Sequence, residues 1–140
     1  MTISDQTLSA DVWTEIKTVL VNASITVDSK AVTIQATNAD TTDNNGATRK
    51  PFIIIHPINL DETKDKFGSN QGKKFINVFI DCIYKNTLFV DQLADAVTYA
   101  LSETNISGIE LIGVQSDYAF TDPNKKKYHE KNLSFAFTRE

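Results

Sequence analysis

Hydrophobic and polar positions follow two different periods within one stretch of the chain, from Phe75 to Leu101. The first part alternates every second residue, which is typical of a β-strand with two distinct faces. One face would carry Ile76, Val78, Ile80, Cys82 and Tyr84, and the other Phe75, Asn77, Phe79, Asp81 and Ile83. Beyond Asn86 and Thr87, either of which is a suitable N-cap, the apolar residues recur at helical spacing. The pattern therefore predicts a long strand that leads directly into an amphipathic helix.

The chain before this stretch is predicted to form a helix and several strand segments. Apolar residues at helical spacing predict a helix from about Ser9 to Ala23, with Ser9 as its N-cap. Ser24 to Ala36 indicates two short β segments around a turn at residues 28–30. The apolar run from Pro51 to Leu60 predicts another strand, which Pro57, lacking an N–H group, would end at an edge or a bulge.

The chain after the central helix indicates a closing hairpin. Gly108 to Phe120 and residues 128–140 have strand patterns, with good turn residues between them, and Gly113 is a possible bulge. Helices separated by runs of strands are typical of the α+β class. We predict one mostly antiparallel mixed β-sheet, two helices packed on one face, and a C-terminal β-hairpin.

Two polar segments, 37–50 and 61–74, interrupt the strands. Each contains almost no large apolar residue, so neither can bury enough surface to offset the entropy of ordering. We expect them to be flexible loops, or loops that a partner orders. Phe67 is the large apolar residue of the second loop; it either packs back on its own domain or anchors a neighbouring subunit.

Composition bounds the class of protein. With 140 residues and ordinary globular composition, residues 1–140 are predicted to form a single domain. A net charge of −4 gives no electrostatic reason for tight binding to duplex DNA. A single cysteine, Cys82, excludes an internal disulfide and, with two histidines, a four-ligand zinc site. The sequence has no signal peptide and no apolar run long enough for a membrane span, so we expect no membrane partner.

The sequence contains no recognisable catalytic motif. Phosphate-binding loops, nucleophile elbows and zinc-protease motifs are all missing from it. The best enzymatic candidate is the neighbouring pair His129 and Glu130, while His56 in its apolar strand is expected to be a structural residue. We therefore predict that the protein is not an enzyme and has no catalytic, cofactor-binding or metal-binding residues.

Apolar residues on the second face of the central strand point to an interface. A sheet with helices on one side needs one apolar face, yet Phe75, Phe79 and Ile83 lie on the other. Either another subunit covers this face, or the chain covers it itself. The lysine run Lys125, Lys126 and Lys127 at the predicted hairpin tip provides solubility and edge protection, or contacts an acidic partner or nucleic acid. The candidate interface residues are Phe67, Phe75, Phe79, Ile83, Lys125, Lys126 and Lys127.

The order of these elements resembles the tail terminator (tail-completion) proteins of long-tailed bacteriophages. The resemblance rests on the helix DVWTEIKTVL, the strand KPFIIIHP, the polar insertion, the strand and helix FINVFIDCIYKNTLFVDQLADAVTYAL, and a closing hairpin that ends in NLSFAFTRE. It spans nearly the whole chain and is one of pattern and length.

The resemblance implies a virion protein that is assembled in the host cytoplasm. Such a subunit would form a hexameric ring on the last ring of the tail tube protein, stop tube polymerisation and join the head-side connector or stopper protein. DNA would pass through the ring without specific binding. The alternatives are another neck or tail-tube-like subunit, or a small cytoplasmic binding domain.

Overall fold

The hydrophobic pattern and the observed elements agree closely in order. The computed structural model describes residues 3–36, 50–62, 74–119 and 129–139. These residues form two helices, α1 (Leu8–Asn22) and α2 (Thr87–Glu103), and the strands β1 (Thr26–Val27), β2 (Lys30–Ala31), β3 (Thr33–Ala36), β4 (Phe52–Ile55), β5 (Asn59–Glu62), β6 (Lys74–Tyr84), β7 (Glu110–Ala119) and β8 (His129–Arg139).

Helix α2 begins at a predicted cap, whereas α1 does not. Asn86 caps α2, since its Oδ1 accepts hydrogen bonds from the N–H groups of Leu88 (2.8 Å) and Phe89 (3.4 Å). Ser9 is not the N-cap of α1 but a residue within it. A 3-10 turn over Asp5–Thr7 precedes α1, and its cap is Ser4, whose side chain accepts from the N–H of Gln6. The chain therefore turns into the helix earlier than its first apolar stripe indicates.

One mixed sheet organises the rest of the molecule. Its strands lie in the order β3-β4-β6-β8-β7, with β5 beside the other half of β6. The pair β3 and β4 is parallel, and the remaining pairs of this sheet are antiparallel. Strands β1 and β2 form a separate hairpin whose turn residues Asp28 and Ser29 have positive φ, as a two-residue type I′ turn requires. The predicted α+β class, mostly antiparallel sheet and closing hairpin are confirmed.

Two irregularities fall at the residues that predicted them. The apolar run from Pro51 is not one strand, because His56-Pro57-Ile58 separates β4 from β5 while both pair with β6. In β7 the register shifts between Leu111 and Gly113, so Ile112 is an extra residue without an opposite partner on β8. A proline without a donor and a glycine beside the bulge thus mark both breaks in the ladder.

The core lies between the helices and one face of the sheet, which we call the inner face. Its β6 residues are fully buried, and they pack in one cluster with the apolar stripes of α1 and α2. These residues are Ile76, Val78, Ile80, Cys82 and Tyr84. The indole of Trp13 on α1 also donates to the carbonyl of Ile55 at 3.1 Å. Both helices therefore cover the inner face, which leaves the other side, the outer face, free of the described helices.

Candidate interface on the outer face of the sheet

The outer face carries two kinds of surface, one apolar and one polar. Antiparallel pairing places every second residue of β6 on this face, opposite every second residue of β8. Phe79 faces Ser134, Asp81 faces Asn132, and Ile83 faces Glu130.

The apolar part is a small cluster beside an exposed aromatic ring. Phe52, Ile54 and Ile83 form a hydrophobic cluster separate from the main core, and each is less than a tenth exposed. Phe79 lies on the same face and is 40% exposed. Phe75, at the start of the strand, is half-buried. Among the candidate interface residues that the structure describes, Phe79 is therefore the most accessible to a partner.

The polar part is a hydrogen-bonded group that joins β6, β8 and the residue after β4. His56 Nε2 lies 2.6 Å from Asp81 Oδ2. The amide of Asn132, with its nitrogen towards the carboxylates, donates to Asp81 Oδ1 at 2.7 Å and to Glu130 Oε2 at 3.0 Å. The reverse orientation would set an amide oxygen against carboxylate oxygens, so we adopt the first. The group links the residue that follows β4 to β6 and β8, on a face that no described helix covers.

The surroundings of this group raise the pKa of one carboxylate, Glu130. Partial burial raises the pKa of Glu130, the nearby charge of Asp81 raises it further, and His56 opposes both effects. Asp117 on β7 lies in the same cross-strand row as Asn132 and Asp81. These side chains surround an open groove of about 620 Å³ that also borders Phe79. Such a groove suits a cationic side chain of a partner, which would neutralise the carboxylates.

The sequence did not indicate the contact between His56 and Asp81. These residues are 25 positions apart, and each has an ordinary strand context in the sequence. Their meeting depends on the antiparallel register of β4 against β6, which a single sequence does not specify. The prediction that His56 is structural remains compatible with a histidine held by a carboxylate.

The pair His129 and Glu130 does not form a combined site. Neighbouring strand residues point to opposite faces, so Glu130 joins the outer face while His129 turns to the other side. There His129 Nδ1 lies 2.8 Å from the Tyr118 hydroxyl. The best enzymatic candidate in the sequence is therefore divided between two surfaces.

Several other predicted features can be placed directly. Burial raises the pKa of the Cys82 thiol, which lies within the core. In the described ranges, no three His, Cys, Asp or Glu side chains come together as metal ligands would. None of the described helices combines the length and the apolar character that a membrane crossing requires. Phe67, Lys125, Lys126 and Lys127 lie outside the described residues.

The two polar loops are only partly described. Asp61 and Glu62 belong to β5, and Lys74 is the first residue of β6. Residues 37–49 and 63–73 lie outside the described ranges.

Comparison with known proteins finds a likeness among solved structures. No family model and no curated protein matches the chain. Among solved structures, a chain of the "Virion of native gene transfer agent (GTA) particle" superposes with a TM-score of 0.51 at 15% sequence identity. The match covers 94% of this chain and 92% of that chain. At this level of identity the likeness shows the fold, which extends over nearly the full length of both chains.

Proposed function

We propose that this chain is a structural protein of a virion, and that it acts as a tail terminator without catalytic activity. The observation that carries the proposal is the fold likeness to a virion chain over nearly the whole length of both chains. The order of the sequence elements supports the finer assignment, because it resembles the tail terminators of long-tailed bacteriophages. The protein would be assembled in the host cytoplasm and become part of the tail or neck.

The proposed assembly is a hexameric ring with two partners. One side of the ring would bind the last ring of the tail tube protein, and the other would bind the head-side connector or stopper protein. DNA would pass through the lumen without specific binding, which agrees with a chain of net charge −4. The outer face of the sheet supplies contact surface, with Phe79 as an exposed anchor beside a carboxylate-lined groove.

The other candidate interface residues extend this proposal. Phe75 lies on the same face as Phe79, and Ile83 supports the apolar cluster from below the surface. We assign Phe67 to a contact with a neighbouring subunit. Lys125, Lys126 and Lys127 are assigned to an acidic surface of a virion partner.

The test measures assembly and tail length together. We expect the purified chain to form rings, seen by negative-stain electron microscopy and by mass photometry, at high concentration or on added tail tubes. Addition of the chain to polymerising tube protein should then fix tube length. A chain that stays monomeric and neither binds tubes nor limits their length would refute the terminator assignment.

The same experiment separates the alternatives. Binding to the connector without an effect on tube length would indicate another neck subunit. Copolymerisation into the tube wall would indicate a tail-tube-like subunit. A chain that binds no virion component would leave a small cytoplasmic binding domain as the best assignment.

A further inference from the structure

Edge strand β7 is the least protected strand of the described sheet. It has ten residues, ELIGVQSDYA, and none of them is a lysine, an arginine or a proline. The unpaired N–H and C=O groups of an edge strand can pair with another strand. Natural edge strands are commonly protected from this by lysine, proline or short length. Here the bulge at Ile112 interrupts the ladder near one end and leaves Gly113–Ala119 in regular register with β8.

An apolar strip runs along the same strand. Ile112, Val114 and Tyr118 are 55%, 43% and 47% exposed. Helix α2 packs mainly on β8 and β6. The inner side of β7 therefore extends beyond the cover that α2 gives to the sheet, and its apolar side chains remain in water.

The opposite edge of the sheet is a complementary surface. In the part of the chain that the structure describes, β3 pairs with β4 alone, so its second side is free. Beside it lies an open groove of about 600 Å³ lined by Lys30, Ala31, Val32, Thr33 and Lys50. The two lysines lie at the end of β3 that would meet the Asp117 end of β7, and Asp117 is acidic.

The two edges also lie at the same height along the strands and run in opposite directions. Gln35 of β3 and Asp117 of β7 lie in one cross-strand row, through Ile54, Asp81 and Asn132. The strand β7 runs in the same direction as β6, and β3 runs against it. A copy rotated about an axis roughly along the strands would therefore present β7 to β3 as an antiparallel neighbour, which is the more stable kind of pairing.

We propose that β7 of one copy pairs with the free edge of β3 in the next copy, so that the sheet continues from subunit to subunit. The contact is heterologous, since two different edges meet, and such contacts form rings when the rotation closes. The inference deepens the proposed ring, on which it rests for its biological meaning. It adds the sheet edges to the contact surface that the outer face supplies.

Site-directed cross-linking tests the contact directly. Continued pleating would place Gln35 opposite Asp117 of the next copy and diagonal to its Gln115, all on one face and within reach of a short bis-maleimide. The only native cysteine, Cys82, is buried and does not compete for the reagent. We expect Gln35→Cys combined with Gln115→Cys or with Asp117→Cys to give a ladder of linked subunits. Gln35→Cys combined with Tyr99→Cys, on the solvent side of α2, is the matched control and should stay unlinked.

The outcomes distinguish this inference from the proposed function. Rings without links between β3 and β7 would overturn the edge contact and leave the ring proposal standing. Dimers linked through Gln115→Cys alone would also overturn it, since β7 would then pair with β7. A full ladder in a chain that ignores tail tubes would support the edge contact and refute the terminator assignment.

A charge placed on the apolar strip provides a second test. Tyr118→Lys, at the residue of the strip that is level with β3, should raise the concentration for half-assembly by about tenfold or more, as expected for a residue buried at an interface. Tyr99→Lys, which changes an aromatic residue that is 70% exposed on α2, should leave that concentration unchanged. Unfolding curves show whether each monomer remains folded. Equal assembly of the Tyr118→Lys variant and the original chain would overturn the proposal.

Discussion

At the residue scale, Asn86 decides where α2 begins. Its side chain accepts two hydrogen bonds from N–H groups that have no partner within the helix. Replacement of Asn86 by alanine should lower the free energy of unfolding by about 1 kcal/mol, the usual cost of a lost N-cap. Asn86→Asp keeps the acceptor and should cost much less. Urea denaturation of the three chains measures the difference, and equal losses for both substitutions would show that the cap contributes nothing.

Glu130 gives the molecule a pH dependence with a definite sign. Its pKa in the folded state lies above the ordinary value of 4.5, so the folded state holds this proton more tightly than the unfolded state. The loss of folding stability caused by ionising Glu130 is absent below the ordinary pKa. It grows as the pH rises from the ordinary pKa to the folded-state pKa, and it is complete above the folded-state pKa. Ionisation of Glu130 therefore destabilises the fold at neutral pH.

The test is Glu130→Gln, which removes the charge and keeps an oxygen for the amide of Asn132. We expect the variant to gain free energy of unfolding relative to the original chain at pH 7, and to lose this advantage near pH 4. Chemical denaturation at the two pH values measures it. If the two chains differ by the same amount at both pH values, the carboxylate is not the source of the effect.

Features that depend on one residue and its immediate neighbours in the chain were predicted best from the sequence. The cap at Asn86, the burial of Cys82 and the break at Pro57 each follow from one residue type in its immediate context. The group formed by His56, Asp81 and Asn132 does not, because it depends on which strands become neighbours. Ser9 failed as a cap because the 3-10 turn after Ser4 starts the helical segment earlier.

At the element scale, Tyr84 ties the β1–β2 hairpin to the central strand. Its buried ring ends β6, and its hydroxyl donates to Asp28 Oδ2 at 2.7 Å and accepts from Lys30 Nζ at 3.3 Å. Tyr84→Phe should lower the free energy of unfolding by about 1 kcal/mol, because a hydrogen bond to a charged group is lost. It should also speed amide exchange across the hairpin.

The matched control is Tyr118→Phe. Its hydroxyl contacts His129 on an exposed surface, so loss of this hydrogen bond should cost less than about 0.5 kcal/mol. Amide exchange followed by mass spectrometry, together with thermal unfolding, compares the two variants. Equal effects of both substitutions would contradict a role for Tyr84 in holding the hairpin.

Element type was more predictable than element extent. Period-two alternation identified β6 and β8 nearly to the residue, and helical spacing identified α1 and α2. The sequence predicted a loop at the polar residues Asp61 and Glu62, yet they extend the sheet as part of β5. Their polar side chains do not predict a strand. They belong to the sheet because their backbone pairs with β6.

At the scale of the whole molecule, the sequence predicted which β6 residues share the outer face but not how exposed each of them is. Alternation along β6 predicted that Phe75, Phe79 and Ile83 share a face, which the register of the sheet bears out. It did not predict that they would differ in burial. Phe79 is 40% exposed, whereas Ile83 is 4% exposed because it packs with Phe52 and Ile54 of β4. Burial depends on neighbouring strands, so a pattern along one strand identifies the face and not its accessible residues.

This difference makes Phe79 the residue at which assembly and folding can be separated. Phe79→Asp places a charge where a partner would bury an aromatic ring, and desolvation of that charge should abolish ring formation or tube binding. The monomer should lose no more than about 2 kcal/mol, because the native ring is already partly in water. Mass photometry measures assembly and urea denaturation measures stability.

The control for this prediction is Tyr99→Asp, which introduces the same charge at a more exposed aromatic position on α2. It should assemble like the original chain, because α2 lies on the inner side of the sheet and its solvent face has no part in the proposed contacts. If Phe79→Asp instead abolishes cooperative unfolding of the monomer, Phe79 belongs to the core of the chain. If both variants assemble normally, the outer face is not a contact surface, and the sheet edges alone would have to hold the subunits together.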